Sequence, residues 1–257
     1  MQWEKINVCV QKWMKQARKI ILEGRTKELC VEEKTSRCDL VTNVDKFIEK
    51  FYVDRIRETF PNSKILGEEG EADKDLDNFK GLLWIIDPID GTMNFVKQHD
   101  HFASMIAVCE NGIEKLGYIL DVTEDKLYWR GPECGVFCND QKVEPPKNLP
   151  LEEGLFGVGG KMLLSNYRNV QSAAKKSLGV RIYGSSGIEF IHVLTGKNVS
   201  YLSHLRPWDY AAGKILAEAL GLVVKTIDEE SLDMLSSSDV LVATKNAHQG
   251  IVKLMNS

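Results

Sequence analysis

Trp84 to Val96 reads WIIDPIDGTMNFV. Two carboxylates, Asp87 and Asp90, stand three apart at the end of an apolar run, with Pro88 between them. Proline followed by Asp-Gly is ordinary turn chemistry. It accounts for Pro88, Asp90 and Gly91, but not for Asp87. A strand as apolar as LLWIID is covered on both faces, so Asp87 emerges from protein interior. A charge there costs several kcal/mol unless it is paired or bound to metal.

Other acids recur at comparable places. Glu68 and Glu69 end the segment KILGEE, Asp209 opens WDYAAGKILAEAL behind Pro207, and Asp45 lies in DLVTNVD. Each has a plain alternative: a solvated loop for the glutamates, a first-turn helical acid for Asp209, a surface helical acid for Asp45. Together they make a nest of up to six carboxylates with Lys34 as its basic neighbour. Such a nest is unfavourable unless hard cations fill it. Oxygen ligands without histidine point to Mg²⁺ rather than zinc or copper. The chemistry that follows is metal-assisted attack of water on a phosphate ester.

The elements that must position these acids are legible as periodicities. Trp3, Ile6, Val10, Trp13, Ala17, Ile20 and Ile21 mark an amphipathic helix ending near Gly24. TKELCVEEKTSRCDLV reads as a loop, and a second helix runs from about Thr42 towards Phe60, stopped by Pro61. KILGEE, LLWIID, DKLYWRG and CGVFCND read as strands. FASMIAVCENGIEKLGYILDV reads as two strands joined at Asn111-Gly112. Pro145-Pro146 marks a boundary between an N-terminal α+β half (about 1–145) and a C-terminal α/β half (about 146–257) of one unit spanning 1–257. Beyond it, helices are predicted at Asn166–Leu178, Ile188–Leu194, Trp208–Leu220 and Ala247–Met255, with strands in GVRIYGSS, LVVKTID and DVLVATK. GKNVSYLSHLRPWD reads as a loop carrying His204 and Arg206. GVGGK, Gly157 to Lys161, lacks the spacing of a phosphate-binding loop. His99 and His101 have metal-like spacing without a third partner.

Composition sets outer bounds. With 257 residues, 43% hydrophobic and 27% charged, the chain can bury a sizeable core. A net charge of -4 gives no basic signature for nucleic acid. No segment reaches the roughly 18 apolar residues of a membrane span, which leads to a cytoplasmic expectation. The six cysteines form no CxxC pair, and Cys134 with Cys138 finds no downstream Cys/His pair, so reduced thiols are expected.

Glu68-Glu69, then Asp87-Pro88-Ile89-Asp90-Gly91-Thr92, then Trp208-Asp209-Tyr210-Ala211-Ala212-Gly213 resemble, in order, the three signatures of the inositol monophosphatase family of lithium-sensitive, magnesium-dependent phosphatases. DLVTNVD and RIYGSS resemble two further family segments. The resemblance implies an α+β fold, a layered α-β-α-β-α sandwich, and a homodimer. It implies two Mg²⁺ ions, with a third, weaker one sometimes seen. Glu68, Asp87 and the Ile89 carbonyl would hold the first, and Asp87, Asp90 and Asp209 the second. Thr92, supported by Glu69 and Asp45, would orient the attacking water. Glu68, Ile89, Asp90, Gly91, Thr92, Gly184, Ser185, Ser186 and Asp209 would face the substrate, a small phosphorylated metabolite.

One family feature is missing. A glutamate that grips a substrate hydroxyl about six residues before the Trp-Asp motif has no counterpart, because no acid lies between Gly196 and Asp209. Inositol monophosphate or related sugar and polyol phosphates remain the leading substrates. Nucleotide 3'- or dinucleotide 2'-phosphates such as NADP, and fructose 1,6-bisphosphate, are the alternatives. A regulatory protein that binds transcription machinery or RNA is the alternative of another class.

Overall fold

The computed structural model describes residues 2–25, 29–36, 39–70, 73–77, 79–131 and 135–256. Cys38 and Cys134 lie outside them, and the described Cys9, Cys30, Cys109 and Cys138 are free thiols. In chain order the elements are α1 (Gln2–Gly24), β1 (Val31–Ser36), β2 (Asp39–Thr42), α2 (Asn43–Thr59), β3 (Lys64–Gly67), β4 (Leu82–Asp90), α3 (Thr92–Lys97), β5 (Ala103–Glu110), β6 (Ile113–Asp121), β7 (Lys126–Arg130), β8 (Val136–Cys138) and β9 (Gln141–Lys142). There follow β10 (Leu155–Val158), α4 (Gly160–Leu164), α5 (Val170–Lys176), β11 (Gly179–Arg181), α6 (Ser186–Leu194), β12 (Ser200–Leu205), α7 (Pro207–Ala219), β13 (Val223–Thr226), β14 (Ser238–Ala243) and α8 (Lys245–Met255).

Strands β3 to β9 form a seven-stranded sheet in sequence order, and a five-stranded sheet has the order β11-β10-β12-β14-β13. One face of the larger sheet carries Trp84, Ile86, Ile106 and Tyr118 against the apolar stripes of α1 and α2. Its other face, with Met105 and Ile119, packs on Phe190 of α6 and Ile215 of α7, and so do Tyr201 and Val242 of the smaller sheet. The far face of the smaller sheet meets α5 and α8 through Ala173 and Ile251. The layers are therefore α-β-α-β-α, and every residue of β4 is buried between two of them.

Local chemistry starts the helices. The Thr42 hydroxyl accepts from the Val44 and Asp45 amides while the Asp45 carboxylate takes the Thr42 N–H at 2.9 Å, a reciprocal cap. Pro207 fills the first turn of α7, where its missing N–H costs nothing.

Three sequence expectations are corrected. The segment read as a loop before Thr42 contains the β1–β2 hairpin, whose charged sequence VEEKTS hides the alternation of a strand. The loop expected before Asp209 is in fact β12, the central strand of the smaller sheet, flanked by β10 and β14. His204 is thus a strand residue tied to Asp239 at 2.7 Å, and Arg206 caps α7. The helix expected over Asn166–Leu178 is α-helical only at Val170–Lys176, behind a short 3₁₀ turn. Among the described residues no helix is long and apolar enough to cross a membrane.

Candidate metal centre

The centre is built at the end of β4. In a regular strand, residues three apart face opposite sides of the sheet. Asp87 lies opposite Met105 and Asp90 opposite Ala103, so β4 takes three steps where β5 takes two. The extra residue is a β-bulge, and it brings Asp87 and Asp90 to one side. Pro88 falls in this break, where a missing N–H does least harm. Asp209 arrives from the first turn of α7, oriented by accepting the Arg206 amide at 2.8 Å. Carboxylate oxygens of Asp87, Asp90 and Asp209 all lie within 4.8 Å of one another.

The electrostatics of this triad call for a cation. Burial, then the charges of Glu68, Asp90 and Asp209, push the Asp87 carboxyl well above its ordinary pKa. Burial and then Asp90 do the same to Asp209. Asp87 Oδ1 is buried with no hydrogen-bond partner. A buried orphan oxygen among mutually repelling acids fits a hard divalent cation.

Asp90 is cradled differently. Its carboxylate accepts from the Ser186 amide at 3.1 Å, the Ser186 hydroxyl at 3.0 Å, the Gly187 amide at 2.7 Å and the Ser185 hydroxyl. Burial raises its pKa and these four donors oppose the rise. Ser185 also caps α6, accepting the Ile188 amide at 3.3 Å. Gly184, Ser185 and Ser186 line a cavity of about 390 Å³ together with Asp90 and Asp209.

Around the triad stand the remaining predicted residues. Lys34, from the β1–β2 hairpin, bridges Glu68 at 2.9 Å and Glu69 at 2.6 Å. Burial works against the ammonium, yet these two glutamates raise its pKa. Burial also pushes Glu69 up to about 7 despite its bond to Lys34. Thr92 Oγ1 lies 3.0 Å from Asp45 Oδ1 and 3.1 Å from the Ile89 carbonyl. Asp45 is fully buried, and burial pushes it up to about 6 against the hydrogen bonds from Thr42. Gly91, at φ 90°, turns the chain from β4 into α3. His99 and His101 fall in the following loop, His101 stacked on Tyr183.

Three residues of this neighbourhood escape the sequence reading. Glu49 is fully buried one turn after Asp45, and its Oε2 takes the Glu69 amide at 2.7 Å. Two acids at i and i+4 on the apolar stripe of α2 were the available signal. Asn94 ties the turn after β4 to the α6 entry by donating to the His101 and Tyr183 carbonyls. Glu189 lies on the cavity floor, accepting the Tyr183 amide at 3.0 Å and Asn198 Nδ2 at 3.3 Å. Nothing in the sequence distinguishes it from a helical surface acid.

Five layers around a buried acidic centre define an α+β sandwich protein whose site fits divalent metal. The profile of the inositol monophosphatase family matches residues 2–257, and the chain belongs to that family. It is similar to the inositol-1-monophosphatase of Bacillus subtilis (strain 168), at 40% identity over 254 residues covering 97% of this chain and 96% of the relative. Among solved structures it is similar to an IMPase/NADP phosphatase complexed with Mg²⁺ and phosphate, with TM-score 0.91, 31% identity, and coverage of 100% and 97%. It is likewise similar to staphylococcal inositol monophosphatase-1 in a 100 mM LiCl-soaked inhibitory complex, with TM-score 0.93, 32% identity, and coverage of 99% and 96%.

Proposed function

We propose that the chain is a Mg²⁺-dependent phosphomonoesterase acting on inositol monophosphate and related small phosphate esters. The observation that carries this reading is the convergence of Asp87, Asp90 and Asp209 within 4.8 Å, in a chain 40% identical to an inositol-1-monophosphatase. Asp87, Asp90 and Asp209, with Glu68 and the Ile89 carbonyl, would hold two ions, and Glu68 a weaker third. When bound, Mg²⁺ supplies positive charge at the phosphate and makes water acidic enough to react near neutral pH.

The protein's own groups do the rest. Thr92 Oγ1 donates to Asp45 Oδ1 and offers its lone pairs to the attacking water, so Asp45 fixes which way the hydroxyl points. The Thr42 amide and hydroxyl occupy Asp45 Oδ2, which leaves Oδ1 for Thr92. Glu69, held by Lys34 at 2.6 Å, is the second acceptor for water. The Gly91 and Thr92 amides and the Gly184-Ser185-Ser186 turn face the phosphate ester. Similarity to an IMPase/NADP phosphatase supports a dinucleotide 2'-phosphate as an additional substrate. Family membership supports a homodimer, which light scattering reads directly.

Phosphate release from inositol 1-phosphate tests the proposal. Release is expected with MgCl₂, none with EDTA, and partial inhibition by LiCl relative to KCl at the same ionic strength. Equal release in EDTA, or none with Mg²⁺, overturns it.

A further inference from the structure

The glycine run Gly157-Val158-Gly159-Gly160-Lys161 finds no use in holding phosphate, and the structure shows what it is for. A Cβ on Gly157 would fall on the Glu189 carboxylate. A Cβ on Gly159 would stand 2.5 Å from Ser203 Oγ and 3.2 Å from Ser203 Cβ. The Gly159 amide donates to the Leu202 carbonyl at 2.8 Å. Gly157 and Gly159 therefore stand where a side chain would crowd Glu189 and Ser203, and two residues further on Lys161 lies on the wall of the cavity that holds Asp90 and Asp209.

That cavity has a lopsided charge. Its acids are Asp90, Asp209 and Glu189, and its basic residues are Lys161 and His204. His204 is already tied to Asp239 at 2.7 Å. Lys161 is exposed and forms no ion pair among the described residues. The neighbouring lining residue of β12 is Ser203, and β12 offers no acid to grip a hydroxyl. A neutral polyol leaving group thus meets a donor-rich wall. A leaving group carrying its own anion gains from a wall whose unpaired cation is Lys161 and whose hydroxyl is Ser203, and charge-assisted hydrogen bonds are the stronger kind.

We propose that Lys161 is a specificity-determining residue, selecting phosphate esters whose leaving group bears a second anionic group, carboxylate or phosphate. The proposal rests on the phosphomonoesterase reading. Lys161 takes no part in the bond changes: water oxygen bonds to phosphorus, the ester P–O bond breaks, and the alcohol leaves with a proton drawn from that water.

The test compares kcat/KM in matched pairs with Mg²⁺: 2-phosphoglycerate against glycerol 2-phosphate, and glucose 1,6-bisphosphate (scored at the 1-position) against glucose 1-phosphate. The first pair adds a carboxylate and the second a phosphate. Wild type is expected to favour the charged member of at least one pair. Lys161→Met should lower that ratio roughly fivefold to tenfold, the range of a partly exposed charged hydrogen bond. Lys161→Glu should lower it further, and Lys161→Arg should largely preserve it. Lys161 is solvent-exposed, so all three variants should melt with wild type. A ratio unchanged in Lys161→Met and Lys161→Glu overturns the inference while leaving the phosphatase reading intact. Failure of wild type to hydrolyse any of the four esters, or inositol 1-phosphate, overturns both.

Discussion

Both oxygens of the Asp90 carboxylate accept a backbone N–H, Oδ1 from Ser186 and Oδ2 from Gly187. Serine hydroxyls can rotate, but backbone amides cannot. Either orientation of an asparagine side chain at this position therefore sets its NH₂ against a fixed N–H donor. Asp90→Asn is expected to abolish Mg²⁺-dependent phosphate release. It should also lower the melting temperature in EDTA, because an unsatisfied buried donor costs about 1–3 kcal/mol. The relief of repulsion from Asp87 and Asp209 works the other way. A higher melting temperature would show that repulsion outweighs the cradle in the metal-free protein. The same residue-level logic separates Asp90, held by four donors, from Asp87, whose Oδ1 is held by none.

At the scale of elements, the middle helical layer aims the site. Helix α6 starts at the Ser185-Ser186 cradle of Asp90 and α7 starts just before Asp209, so the crossing of these two helices fixes the distance between two of the three acids. The crossing is tight at Gly213, where a Cβ would run into the Phe190 ring. Gly213→Ala gains about 1 kcal/mol of helix propensity. It loses about 1–3 kcal/mol to overpacking, because the ring is fully buried and packs edge-on against Tyr201 in a close-packed core. The expected result is a lower urea midpoint together with lower phosphate release, since moving α7 moves Asp209. An unchanged midpoint would mean that Phe190 swings aside freely. Helix α7 itself was legible in the sequence from Pro207 and its apolar period. The strand before it was not: β12 reads SYLSHL, and its serines look like loop residues until β10 and β14 flank them.

For the whole molecule, the buried acids make metal-free stability depend on pH. Burial, helped by the charge of Asp90 and opposed by hydrogen bonds from Tyr183 and Asn198, pushes Glu189 up to about 8 from an ordinary 4.5. Between those values the folded chain keeps a proton that the unfolded chain has lost. Stability is then full below pH 4.5 and falls as pH rises, by about 1.4 kcal/mol per unit for this one group. Burial moves His192 the opposite way, from 6.5 down to about 4, so its contribution falls as pH drops through that window. Above pH 6.5 the acids act alone. Urea unfolding in EDTA at pH 6.5 to 8 should therefore show stability falling with pH, with a shallower slope in Glu189→Gln. That substitution keeps an acceptor for the Tyr183 amide, and its NH₂ pairs with Asn198 once the Asn198 amide turns over to present its otherwise unpartnered Oδ1. Identical slopes would mean that Glu189 is ionised in the fold.

What the sequence determined by itself is what is decided locally. Caps, the Asn111-Gly112 turn, the doubly covered β4 and the spacing of Asp87, Pro88 and Asp90 depend on residues a few positions apart, and all were readable in order along the chain. The family signatures add the identity of the acids that belong together. Only the tertiary structure decided which polar residues are interior. Asp90 finds its donors 95 to 97 residues away, and Asp45 reaches Thr92 across 47. Glu189 carries no mark in its own segment, because its burial is stable only where other elements supply partners, here the Tyr183 amide and Asn198. Lys161 is the same case in reverse. Its motif lacks the spacing of a phosphate loop, and only the tertiary structure places that lysine on the wall of the cavity with Asp90 and Asp209.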